Sequence, residues 1–224
     1  MTGVRERARA ETTARILAAA RRQIEEHGGG GLSMRAVARD VGLVSSAVYR
    51  YFPTREALLT AMIVESYSHL DAALGAAPHR RAPARRWAAL AAALRSWALD
   101  HRQEFQLIYG TPIPGYVAPP ETVPAAAAVA QHFLAVGARE PVPAFDRSPL
   151  VRQLAPVAAS LTADLSGPPR ELEPSGVAAV IAELAALVGL VSLELAGHLV
   201  GSADPADHLF AAVVERQVQT LGLT

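Results

Sequence analysis

The stretch Leu32–Phe52, LSMRAVARDVGLVSSAVYRYF, carries the pattern of two short helices joined by a tight turn. Ser33 can cap a first helix that turns Val37 and Ala38 inward, and Gly42 supplies the break before the chain turns. A second helix, over about Val44 to Tyr51, is too short to bury much alone. It must lie on its neighbours through Ala47 and Val48, leaving Ser45, Ser46, Tyr49 and Arg50 outside. A pair of this kind, a helix-turn-helix, is shaped to place its second helix in a DNA major groove. By periodicity alone the same stretch equally fits an ordinary pair of helices in a helical protein.

The residues just after the pair separate the two readings. The run YRYFPTREALL, Tyr49 to Leu59, resembles the Y-x-(Y/H)-F-x-(S/T)-K-E-x-L signature of TetR-family regulators, and it stands some fifty residues from the N-terminus as in that family. The resemblance covers about residues 10 to 65 strongly and the rest more weakly. Carried over residue by residue, it makes Arg35, Ser45, Ser46, Tyr49, Arg50, Tyr51, Thr54 and Arg55 the candidate DNA contacts. Val44 stands where the family usually has a Ser capping the recognition helix, and Ser45 where Lys or Arg is frequent, so Ser45 is expected to take over the cap. The segment DHRQEFQLIYGTPIPGY is similar to a TetR subgroup, common in actinobacteria, with a YGxPxPGY turn in its ligand domain. The resemblance implies a homodimer on a palindromic operator, repression as the usual mode, and release by a small-molecule effector.

Composition agrees with an all-α chain. Of 224 residues 51% are hydrophobic, but only 5% are aromatic, and Ala, Leu, Arg and Glu recur outside the Pro-rich joints. The formal net charge is zero, yet residues 1–55 hold ten Arg against five acids and residues 56–224 eleven Arg against sixteen. That asymmetry is the footprint of a basic reading head on an acidic body, and the expected domains are 1–56 for DNA binding and 57–224 for ligand binding and dimerisation. With no Cys, disulfides and thiolate metal sites are excluded. The N-terminus lacks the apolar core of a signal peptide. In the most apolar stretch, Gly176 to Gly201, the longest uncharged central run is Leu184 to Leu193, too short to span a bilayer. A cytoplasmic protein without membrane contact is the expectation.

Along the chain, residues 1–10 read as a frayed basic terminus, with the first helix starting at Thr12 or Thr13 and ending at Gly28–Gly31. Thr54 should cap a long fourth helix reaching about Leu74, whose N-terminal amides can hold a DNA phosphate and which links the two halves. A loop continues through Arg80 and Arg81 to Pro83. Helices are expected over about Ala84 to His101, around Phe105 to Tyr109, and from about Glu121 to Val136. A further stripe runs from Ser148 to Leu165, where Pro156 should start or kink the helix, and Ser166–Pro169 is a joint. Two long helices close the chain, Ser175–Leu199 and one capped by Asp204 running to Leu221. In the family such a pair forms the dimer interface, here through Leu184, Val188, Val191, Leu195, Phe210, Val213 and Val214, with Glu194 and His198 pairing locally or across the axis.

Most aromatic residues outside the head fall in one span around the PIPGY loop. Trp87, Trp97, Phe105, Tyr109, Tyr116 and Phe133, with the polar tip of His101, are the candidate lining of a pocket for a small hydrophobic effector; a closed aromatic core predicts the same residues. No catalytic motif, phosphate loop or metal-ligand spacing stands out, so no enzyme activity, metal or cofactor is expected. Two alternatives to a ligand-responsive regulator are a constitutive DNA-binding protein without a ligand and an enzyme with an attached DNA-binding head.

Overall fold

The computed structural model describes residues 2–79, 82–164 and 171–223; the expected loop residues Arg80 and Arg81, Leu165 and the 166–169 joint lie outside them. The described residues contain ten α-helices and no β-strand, an all-α fold. They form two compact units, one of residues up to Ser66 together with Gln103–Val123, the other of Tyr67–Arg102 and Pro124 onward.

In the first unit, α1 (Thr2–His27) is longer than its sequence pattern suggests. Residues 5–11, RERARAE, are good helix formers, so the helix is already under way before Thr12 and Thr13. Those two hydroxyls donate back to the carbonyls of Ala8 and Arg9 inside the helix, and neither is a cap. The helices α2 (Met34–Asp40), α3 (Ser45–Tyr49) and the first half of α4 (Arg55–Ala76) close around Ile16, Ala20, Val37, Val48, Leu58 and Leu59, all fully buried. The short α6 (Arg102–Tyr109) and the loop after it belong to the same unit: Leu107, Ile113 and Tyr116 pack on that core, and the Tyr116 hydroxyl lies 3.0 Å from Thr60 Oγ1. The compact units therefore differ from the expected boundary at residue 56, because the PIPGY loop goes with the helix-turn-helix.

The second unit is built from the end of α4, α5 (Pro83–Asp100), α7 (Val123–Gly137), α8 (Ser148–Asp164), α9 (Pro174–Leu195) and α10 (Asp207–Thr220). Its core holds Trp87, Leu90, Leu94, Phe133, Val177 and Leu187. Gly137 lets α7 approach α9, since a Cβ there would stand 2.7 Å from Val180 and 3.1 Å from Trp87. Arg86, buried, donates to the carbonyls of Ala77 (2.6 Å) and Pro78 (3.0 Å) and so satisfies acceptors where α4 ends.

Several expected boundaries move. α8 continues through Pro156; Arg152 and Pro156 are both exposed, so water can reach the carbonyl that loses its helical donor. The stripe on α8 is incompletely covered, with Val157 exposed and Ala158 buried instead. α9 ends at Leu195, four residues early, where the Gly197 and His198 amides fold back onto Glu194 and Leu193. α10 starts at Asp207, after Ala206, so Asp204 does not cap it. By length and composition the 22-residue α9 could cross a bilayer, contrary to the sequence reading. Half of its apolar window is nevertheless buried, and Glu183 and Glu194 are ion-paired to Arg216 and Arg95, as in a core helix.

Candidate nucleic-acid interface

The helix-turn-helix forms as its residues dictate. Ser33 Oγ accepts from the Ala36 amide at 3.4 Å, capping α2, and Gly42 at φ 71° takes the left-handed turn that ends it. α3 lies down on Ala47 and Val48, 8% and 0% exposed, and presents Ser46, Tyr49 and Arg50 to solvent with Ser45 half-buried. Arg35 is exposed on α2. The expected cap by Ser45 is absent: Val44 holds the cap position with no side-chain hydrogen bond, and Ser45 lies inside the first turn. An uncapped α3 leaves its first amides open to an external acceptor such as a phosphate.

Three further candidates behave differently from one another. Thr54 Oγ1 accepts from Ala57 at 3.0 Å, capping α4 as expected, while its own proton stays free to donate outward. Tyr51 is half-buried against the head core, with the Arg9 guanidinium 5.2 Å from its ring centroid. Arg55 turns inward: its Nε donates to the Leu32 carbonyl (3.1 Å) and its Nη2 to that of Gly30 (3.3 Å), tying the start of α4 to the connection between α1 and α2. These two bonds give the Arg55 guanidinium a positioning role within the motif.

Gln23, which the sequence did not single out, is buried and fastens α1 to both ends of α2. Its Oε1 accepts from the Ser33 amide (3.1 Å), and its Nε2 donates to Asp40 (3.3 Å). A lone Gln on an otherwise apolar inward face was the available signal. Gln23→Ala removes both bonds and empties a buried site, and should cost about 1–3 kcal/mol. Thermal unfolding beside the exposed Arg22→Ala control is expected to show the loss only for Gln23.

The other predicted site residues divide between the two units. Trp87, Trp97, His101 and Phe133 lie in the second unit, and Phe105, Tyr109 and Tyr116 in the first. Trp87 and Phe133 are fully buried edge to face at 5.3 Å, with Trp87 Nε1 donating to Gln217 at 3.0 Å. Trp97, 5% exposed, faces the exposed His101 ring at 5.6 Å, and its Nε1 has no hydrogen-bond partner among the described residues. Phe105 is buried with Tyr109 at 5.3 Å. Of the expected dimer residues, Val191 is fully buried, Leu195, Phe210 and Val214 nearly so, and Leu184, Val188 and Val213 half-buried. Phe210 and Val214 also line a shallow groove of about 390 Å³ between α5 and α10. Glu194 pairs with Arg95 (2.7 and 2.8 Å) and not with His198. Arg95 also holds Asp207 at 2.9 Å and lies over the Phe210 ring, and its hydrogen bond keeps the Asp207 carboxyl below its ordinary range. Among the described residues no three His, Asp or Glu converge as a metal site.

Comparison with known proteins agrees with this geometry. Residues 16–62 match the family described as bacterial regulatory proteins, tetR family, and residues 87–217 the tetracyclin repressor-like C-terminal domain. The chain is 44% identical over 123 residues to HTH-type transcriptional regulators of Mycobacterium tuberculosis and Mycobacterium bovis, a match taking in 53% of this chain and 52% of each relative. It thus spans about half the length of the curated relatives it matches. The crystal structure of regulatory protein SCO4313 superimposes with a TM-score of 0.75 at 32% identity, covering 96% of this chain and 98% of the other. A Rhodococcus sp. RHA1 protein described as having unknown function does so at 0.62 and 27% identity, covering 92% and 93%. A helix-turn-helix with a polar outer face, continued by a matching C-terminal domain, leaves one conclusion about descent: the chain belongs to the TetR family of bacterial regulatory proteins.

Proposed function

We propose that this chain is a cytoplasmic, DNA-binding transcriptional repressor that acts as a homodimer on a palindromic operator and is released by a small hydrophobic effector. The observation that carries the reading is α3, buried through Ala47 and Val48 and bare on the side of Ser46, Tyr49 and Arg50. Two such helices would enter successive major grooves about 34–36 Å apart. Tyr49 and Thr54 would position the head on phosphates and Arg50 would face the bases. Family membership supports dimerisation and effector control, and the similarity of the YGTPIPGY turn supports the subgroup assignment. An effector bound in the body would act by shifting α4 away from the spacing that DNA requires.

The test is selection of duplexes from a random pool, then salt-dependent binding assays. A palindromic consensus is expected. Tyr49→Ala should weaken binding to operator and random duplex alike, whereas Arg50→Ala should cost about 1–3 kcal/mol on operator and relax one base pair per half-site. No enrichment, or full affinity in both variants, refutes the assignment. The closed packing of Trp87, Phe133 and Gln217 favours a second reading, a constitutive DNA-binding protein without an effector. A panel of hydrophobic metabolites that leaves the operator complex intact would select it.

A further inference from the structure

The first unit carries a half-open cleft of about 270 Å³ lined by none of the side chains assigned to DNA. Its apolar wall is Ile24, Leu107, Ile113 and the two prolines Pro112 and Pro114; Gly28 and Gly30 close the side where α1 ends. The polar residues of the lining are Gln103, Gln106 and Thr111. Gln103 and Gln106 are one turn apart on α6, so both amides address the same face. The volume lies just under the ~300 Å³ at which ordinary ligand pockets begin, which restricts an occupant to a small molecule.

Charge narrows the occupant further. The last turn of α1 brings the negative end of a 26-residue helix together with Glu25 and Glu26. Arg55 lies on the Gly30 carbonyl, so a cation is already committed beside the glycines. An anion would face the helix end and two carboxylates, and a second cation would face Arg55; an uncharged molecule avoids both. Each Gln amide offers a donor and an acceptor side by side, and its natural complement is another amide edge.

We propose that this cleft is a small-molecule site in the reading head, taking a flat, neutral compound with an amide-type edge on an apolar ring. It is distinct from the effector site proposed for the body and does not depend on operator binding. Occupancy would press on Gly30, whose carbonyl anchors Arg55 and with it the start of α4.

Methyl spectra of the full-length, isotope-labelled chain titrated with benzamide, benzoate or methyl benzoate test this. Benzamide is expected to give saturable shifts at Ile24, Leu107 and Ile113. Benzoate, charged, and methyl benzoate, without N–H donors, should bind about tenfold more weakly. Gly30→Leu should abolish binding without unfolding the head, because a Cβ at Gly30 meets nothing within 4 Å and φ there is not in the left-handed region. Gln106→Leu, at an exposed position, keeps the volume and removes one amide, and should weaken benzamide about tenfold. It decides the matter if Gly30→Leu misfolds. Absence of saturable shifts at these methyls, equal response to all three probes, or unchanged benzamide binding in Gln106→Leu would overturn the proposal. The DNA-binding reading stands or falls separately, on the duplex selection.

Discussion

Trp87→Ala is expected to lower the melting temperature by about 10 °C or more. The ring is fully buried, edge-on to Phe133, and its Nε1 donates to Gln217 Oε1 at 3.0 Å. Gln217 is itself fully buried and donates through Nε2 to the Glu183 carbonyl at 2.8 Å, so the indole is the first link of a polar chain sealed inside the second unit. Truncation leaves a void and an acceptor without a donor. The void alone costs about 3–5 kcal/mol for a large aromatic, and a chain of this size loses about 2–4 °C per kcal/mol. The polar part separates cleanly in a milder pair of variants. Trp87→Phe should cost both ring volume and the orphaned Gln217, whereas Trp97→Phe removes an N–H without a partner among the described residues and should cost only the ring volume, so it should be the milder of the two. Thermal unfolding monitored by circular dichroism reads all three. A melting temperature for Trp87→Ala near that of the unaltered chain would mean that the indole lines open space, and would restore it as a candidate effector contact.

Local chemistry is legible in the sequence and long-range partnership is not. Ser33, Gly42, Thr54, Ala47 and Val48 do what their residue types and spacing require, because a cap, a left-handed turn and a short buried face are decided within a few residues. The start of α1 escapes a reading by pattern because a charged segment without an apolar stripe resembles a frayed end, although its Arg, Glu and Ala residues favour helix. The partners of Arg55, of Glu194 and of Trp87 stand 23 to 130 residues away in the chain, and no periodicity points to them. The aromatic residues look like one group because they are close in sequence, but α6 and the PIPGY loop fold back onto the helix-turn-helix and take Phe105, Tyr109 and Tyr116 with them. α9 poses a different problem. Apolar on nearly every side, its pattern shows that it must be covered without showing which side its own chain covers.

That ambiguity bears directly on the proposed dimer. Along α9 the sequence pattern puts Val191 and Leu195 at the interface, yet Val180, Glu183, Leu187 and Val191 form the inward row, at most 4% exposed. The outward row is Ile181, Ala185, Gly189 and Leu193, four residues apart, with Ile181 50% and Leu193 46% exposed and no charge among them. An apolar row on a 22-residue helix is costly in water, and small residues at its centre allow a second helix to come close. The two rows therefore predict opposite outcomes for the same chemical change. Val191→Glu buries an unpaired carboxylate in the chain's own core and should abolish cooperative folding. Ile181→Glu with Leu193→Glu alters only the outward row and should yield a folded monomer sedimenting at 23.6 kDa, where the proposed dimer of the unaltered chain should sediment at twice that mass. Its operator binding should collapse, since one head alone loses the second half-site. A dimer that survives the double substitution would move the interface away from this row, and a well-folded Val191→Glu monomer would return it to the inward one.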